Sequence, residues 1–134
     1  MDARTRELVR QRAGERCEYC HLPERADEWP FHLDHIIAQD HHVDHSISNL
    51  AWACTQCNLH KGTNFASIDP QTLERVDLFD PRADRWNRHF SIDTDTGRMV
   101  GISASGRATV HLLHMNDSLQ LALRRELLDQ NDFE

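Results

Sequence analysis

The chain has no apolar run approaching the roughly eighteen residues that a membrane-spanning helix needs, which sets membrane insertion aside. It also lacks an apolar leader. Met1-Asp2-Ala3-Arg4-Thr5-Arg6 is charged and runs directly into a helical pattern, which predicts a protein made and kept in the cytoplasm. No internal repeat, low-complexity tract or long flexible linker divides the 134 residues, so their number predicts one domain over residues 1–134 with a modest core. Basic residues are missing from one long stretch. Between Asp27 and His60 there are five acids, Asp27, Glu28, Asp34, Asp40 and Asp44, and no Lys or Arg, within a chain of net charge −7. Phosphate-binding surfaces are usually basic, so this charge argues against a broad nucleic-acid surface. It predicts instead a local cation site where the acids concentrate. Lys61, Arg75, Arg82, Arg85 and Arg88 follow in the next segment.

Cysteine is scarce and paired: Cys17-Glu18-Tyr19-Cys20 and Cys54-Thr55-Gln56-Cys57 account for all four. Pairs this close make poor structural disulfides but allow two thiolates each to converge on one ion at about 2.3 Å. In a reducing compartment, the set reads as a closed structural zinc site of Cys17, Cys20, Cys54 and Cys57. Buried or redox-active thiols are the competing reading. A zinc site here would secure the ends of the intervening segment, which a core this small holds poorly alone.

Periodicity predicts a helix from Thr5 to Gly14, with Leu8, Val9 and Ala13 on one face and Gly14 as the stop. Phe31 to Ile37 alternates and then turns apolar, which predicts a strand entering a covered site. Ala38 to Ser48 has loop composition, Leu50-Ala51-Trp52-Ala53 reads as a return strand, and Thr55 to Asn64 predicts a short helix carrying Asn58 and Lys61. Further on, Asp69-Pro70 marks a turn, Val76 to Phe79 a strand and Arg82 to His89 a short helix after Pro81. Phe90–Asp93 and Arg98–Ile102, joined through Asp95-Thr96-Gly97, predict a hairpin. Ala108, Leu112 and Met115 recur at helical spacing, and Asp117 with Gln120 forms a capping-box pattern ahead of Leu119, Leu123 and Leu127. The expected fold is α+β: strand, loop, strand and helix on a zinc knuckle, with an N-terminal helix ahead and a C-terminal hairpin plus helices behind.

The segment between the Cys pairs carries the chemistry. Adjacent residues of a regular strand point to opposite faces, so Asp34 and His35 approach any shared substrate from different sides unless the strand bends. One divalent ion held by Asp34 and Asn58 would leave most of its coordination positions to water and phosphate oxygens, the arrangement that Mg²⁺ favours.

Taken in order, Cys17-x-x-Cys20, Asp34-His35-Ile36, Asn49-Leu50 and Cys54-x-x-Cys57-Asn58-x-x-Lys61 resemble the HNH, or ββα-metal, endonucleases. The resemblance covers about residues 5–65 and leaves about 66–134 as a C-terminal extension. Its motifs are specific in combination and order. It implies that His35 is the general base, that Asp34 and Asn58 bind the catalytic metal, and that Asn49 braces the loop through backbone hydrogen bonds. Leu78-Phe79-Asp80-Pro81-Arg82 and Trp86-Asn87-Arg88-His89-Phe90 also look like a bacterial subgroup of small stand-alone HNH proteins, with no role implied for those residues.

A neutral imidazole of pKa about 6.5 can take a proton from water at physiological pH and activate it for in-line attack on phosphorus. With Mg²⁺ or Mn²⁺ stabilising the charge that develops, DNA hydrolysis leaves 5′-phosphate and 3′-hydroxyl ends. Lys61, Arg82, Arg85 and Arg88, with Trp86, are candidate phosphate contacts; an exposed lysine and a solvated helix face are the plain readings of the same residues. His32 could face the site or the strand surface. His41, His42, His45 and His60 read as solvated positions or incidental metal binders, and His111 and His114 as solvent-facing. No element resembles a base-reading helix, so duplex DNA with weak sequence preference is the expected partner, and a protein partner stays open. Two alternatives stand beside the DNA endonuclease: a zinc-dependent adaptor without catalysis, and an RNA-cleaving variant. Only the nuclease readings need Asp34, His35 and Asn58.

Overall fold

In the computed structural model, which describes residues 2–133, the first helix is α1, Ala3–Arg12. Asp2 caps it, its side chain accepting from the Thr5 N–H at 2.7 Å. Gly14 stops it by taking φ +64°, the left-handed conformation that a glycine adopts without a Cβ penalty. Strands β1 (His32–His35) and β2 (Leu50–Ala53) pair antiparallel, with His32 opposite Ala53 and His35 opposite Leu50. A 3₁₀ turn at Ile47–Asn49 leads into β2. Helix α2, Thr55–Lys61, follows directly and ends at Gly62, φ +54°. This β1–β2–α2 unit is the expected ββα core, and the fold is α+β.

The knuckle docks on the outer edge of β2. Glu18 donates its N–H to the Trp52 carbonyl at 2.8 Å and accepts from the Trp52 N–H through Oε2 at 2.7 Å. Helix α1 is fastened to the same strand. Arg12 donates to the carbonyls of Ile47 and Leu50, while Arg6 lies over the Trp52 ring at 4.7 Å.

Beyond α2, β3 (Ala66–Ile68) pairs with β4 (Arg75–Asp77), and β5 (Phe90–Ile92) with β6 (Met99–Gly101). Helices α3 (Ala104–Leu112) and α4 (Ser118–Asp129) follow. A Cβ at Gly106 would meet the His89 carbonyl oxygen at 1.9 Å, so a side chain is excluded where α3 crosses that backbone. One hydrophobic cluster draws on both halves of the chain: Val9, Tyr19, Phe31, Leu50 and Trp52 from the first, Phe79, Phe90, Met99, Leu113 and Leu127 from the second. Among the described residues, no helix is long and apolar enough to cross a membrane.

Four expectations change. The strand predicted at Val76–Phe79 is shorter and earlier, Arg75–Asp77, and its partner β3 was not anticipated. The helix predicted over Arg82–His89 shrinks to a 3₁₀ turn at Trp86–Arg88. One turn does form, with Asp80 Oδ1 accepting the Arg82 N–H and the Asp80 carbonyl the Asp84 N–H, both at 2.8 Å, but Arg85 is extended at φ −95°, ψ 123°, and this breaks the helical path before Trp86. Met115 falls outside α3, because the chain turns at His114, φ +53°. The capping box at Asp117 does not form, since the Asp117 side chain caps nothing and Gln120 Oε1 is buried without a partner.

Candidate active site

The four thiols converge as the spacing predicts. Cys17, Cys20, Cys54 and Cys57 are all buried and free, with sulfur atoms within 4.8 Å of one another. Cys20 Sγ and Cys54 Sγ stand 3.8 Å apart, far beyond a disulfide bond and close to the edge of a tetrahedron with a centre-to-corner distance of about 2.3 Å. Each pair folds as a knuckle. The Cys20 N–H points to Cys17 Sγ at 3.5 Å and the Cys57 N–H to Cys54 Sγ at 3.4 Å. Hydrogen bonds from Cys17, Cys54 and Cys57 hold the Cys20 thiol well below the usual thiol range. The donor set, burial and spacing fit Zn²⁺, and Cys54 doubles as the N-cap of α2.

Strand β1 turns its last two side chains, Asp34 and His35, to opposite sides. Asp34, 4% exposed, faces inward; its Oδ2 accepts from the Tyr19 hydroxyl at 2.6 Å and lies 3.2 Å from Lys61 Nζ, which is 3.3 Å from Oδ1. Burial pushes the Asp34 carboxyl above its ordinary value, against the opposing pull of Lys61 and Tyr19. Lys61 Nζ also donates to the carbonyls of His35 and Ile36, both at 3.1 Å. Lys61 is 1% exposed, which corrects the expectation of a phosphate contact or an exposed lysine: its charge is spent on Asp34 and the end of β1.

His35 lies on the other side, half-buried, with Nε2 3.0 Å from Nδ1 of exposed His45. Burial first, and then His45, hold its pKa below the ordinary value, so the neutral ring predominates at physiological pH. Asn49 ties the loop between the strands. Its Oδ1 accepts from the Ile37 N–H at 2.9 Å, and its Nδ2 donates to the carbonyls of Ile37 and Asp44 at 3.0 Å each. Its backbone carbonyl accepts from the Ile36 N–H at 2.9 Å, so the ladder continues one step past His35 by backbone and a further step, at Ile37, by side chain. Asn58 sits on α2, part-exposed.

The arginines divide. Arg82 is not a free surface cation, being ion-paired to Glu18 at the knuckle. Arg85 and Arg88 are exposed. Trp86 is no open platform for bases: its ring stacks on His21 at 3.9 Å and its Nε1–H donates to the Tyr19 carbonyl at 2.8 Å. His32 pairs with Thr55 Oγ1 at 3.0 Å and His41 with the Thr63 carbonyl at 2.9 Å. His42 and His111 are exposed.

Sequence reasoning missed two partners at this site. His45 lies in a loop whose path depends on Asn49. Tyr19 lies inside the knuckle, where its reach to Asp34 follows from the docking of Glu18 on β2 and has no local signal. Lys61 did have one: Cys57 and Lys61 are four residues apart on α2, so a face committed to the thiolate cluster carries both inward.

No curated protein and no solved structure matched the chain. Residues 17–64 match a family model, described as HNH endonuclease, over the stretch that contains both Cys pairs, β1, the Asn49 loop, β2 and α2. Between Cys17 and Asn64, this chain carries an HNH endonuclease domain.

Proposed function

We propose that this HNH domain is a metal-dependent endonuclease that hydrolyses DNA phosphodiester bonds, with His35 as general base. The observation that carries this reading is the His35 ring, which is accessible, biased to its neutral form and held beside His45 at the open end of β1. Such an imidazole accepts a proton from a water molecule as that water attacks phosphorus. His45 orients the ring through the bond to Nε2 and so selects which nitrogen is free.

Asn58 and Asp34 would be the oxygen donors for a divalent ion such as Mg²⁺ or Mn²⁺. The Asn58 carboxamide makes no side-chain hydrogen bond among the described residues. Asp34 offers about four lone-pair sites, of which the contacts to Tyr19 and Lys61 use three. A bound cation supplies charge stabilisation at the phosphate and the departing 3′-oxygen, leaving 5′-phosphate and 3′-hydroxyl ends. Exposed Arg85 and Arg88 serve as backbone contacts to duplex DNA with little base preference. A reducing compartment, the cytoplasm, belongs to the same proposal, since the four thiols must stay reduced to hold zinc.

Nicking of supercoiled plasmid with Mg²⁺ or Mn²⁺, and its loss in EDTA, is the direct test. His35→Ala should reduce the rate about 10²- to 10⁴-fold while circular dichroism stays native. Undiminished nicking by that variant overturns the assignment. Asp34→Asn and Asn58→Ala should move the metal titration to higher concentrations. The internal engagement of Asp34 favours one second reading, a zinc-dependent adaptor without catalysis. That reading predicts no metal-dependent cleavage of plasmid or of an RNA run in parallel.

A further inference from the structure

A second cluster of metal-ligating side chains lies away from the thiolates and shares no residue with the nuclease site. His60, on α2, meets His114 and Asp117, in the turn between α3 and α4, and each contributes one ligand atom within 4.8 Å of the others. The imidazoles of His60 and His114 stack at 4.0 Å with an interplanar angle of 27°. His114 Nδ1 is 3.5 Å from Asp117 Oδ1.

Two features set this apart from a chance meeting of surface side chains. Asp117 occupies the N-cap position of α4 yet makes no capping bond, and its carboxylate turns to His114 and Gln56 instead. Gln56 Nε2 contacts His60 Nε2 at 2.8 Å and Asp117 Oδ2 at 3.2 Å, so an imidazole lone pair and a carboxylate are aimed at one donor where a cation would find both.

We propose that His60, His114 and Asp117 bind a divalent transition metal, with Zn²⁺ as the natural occupant. Two imidazoles and one carboxylate suit borderline ions such as Zn²⁺, Co²⁺ and Ni²⁺ and not Mg²⁺, which prefers oxygen alone. With three protein ligands, the remaining position belongs to water. The site clamps the α3–α4 turn onto α2, so the metal ties the C-terminal extension to the HNH domain. Nothing in the clamp depends on nuclease activity.

The experiment uses the full chain with its thiolate site already zinc-loaded. Zn²⁺ is titrated while long-range ¹⁵N–¹H spectra follow the histidine rings, with calorimetry for stoichiometry and affinity and a thermal melt at each end point. The expected result is that the ring nitrogens of His60 and His114 shift together, with one further equivalent bound and a higher melting temperature. His60→Ala and His114→Ala should lose this equivalent and the thermal shift, and Asp117→Asn should weaken binding about tenfold or more. His114 and Asp117 are exposed at the surface, so these variants should fold, and an unchanged far-ultraviolet spectrum confirms it. Unmoved His60 and His114 rings, shifts confined to His35 and His45, or undiminished binding by His114→Ala would each overturn the proposal.

Discussion

Lys61 shows how one residue can be read with the right chemistry and the wrong position. Its ammonium sits among four oxygen acceptors, both carboxylate oxygens of Asp34 and the carbonyls of His35 and Ile36. It therefore neutralises the one buried acid of β1 and holds the strand end from which His35 projects. Removing one partner of a buried ion pair leaves the other charge uncompensated, at a cost of about 3–5 kcal/mol. Lys61→Met should lower the unfolding free energy by about that amount in urea denaturation, and the double variant with Asp34→Asn should recover part of it. A loss below about 1 kcal/mol for the single variant would mean that the pair is not structurally important. The neutral bias of His35 has its own residue-scale consequence for its proposed role as general base: the cleavage rate should be intact at neutral pH and fade as pH falls through a pKa below the ordinary histidine value, which a pH–rate profile checks.

Among the elements, β1, β2 and α2 are short, and the knuckle does much of the work of holding them. Cys17 and Cys20 follow α1, Cys54 joins β2 to α2 and Cys57 lies within α2, so four thiolates on one ion tie the segment after α1 to the β2–α2 junction. Metal binding to such a set is folding free energy, on the order of 10 kcal/mol or more in small zinc domains. A strong chelator, or Cys54→Ser, should therefore cause loss of the near-ultraviolet signal of Trp52 and a marked drop in melting temperature. A melt unchanged after the metal is shown to be gone would rule out a structural role for the thiolates. These same elements were legible beforehand, because alternation marks β1, the apolar run marks β2, and a cysteine pair opens α2. Strand β3 was not, since Ala66-Ser67-Ile68 is too short and mixed to signal without β4 beside it. Neither the extended Arg85 that cuts short the helix at Arg82–His89 nor the unmade capping box had a local signal, since the Asp117 carboxylate is turned to Gln56 and His114 by tertiary docking.

For the whole molecule, net charge and packing set the terms. With a charge of −7 and Arg82 already paired, few cations remain for the proposed contacts to a phosphate backbone, exposed Arg85 and Arg88 among them. Two or three phosphate contacts imply that DNA affinity falls by about tenfold or somewhat more between about 50 and 200 mM salt. Fluorescence anisotropy with a labelled duplex measures this, and tight retention in high salt would contradict it. The C-terminal half is more than an appendage in packing. Phe79, Phe90, Met99, Leu113 and Leu127 complete the core around the knuckle, and buried Arg124 donates to the carbonyls of Gly97 and Met115, joining hairpin, turn and α4.

From sequence alone came the four-cysteine set, the strand–loop–strand–helix order and the segment that bears Asp34, His35, Asn49 and Asn58. Each of these rests on spacing along the chain, which covalent geometry and local periodicity translate directly into structure. Tertiary structure alone decided what those side chains face: Asp34 on Lys61 and Tyr19, His35 on His45, Arg82 on Glu18, and His60 beside His114 and Asp117. Such pairings join residues far apart in sequence, and they depend on how elements dock, a matter of packing and charge that no local window contains.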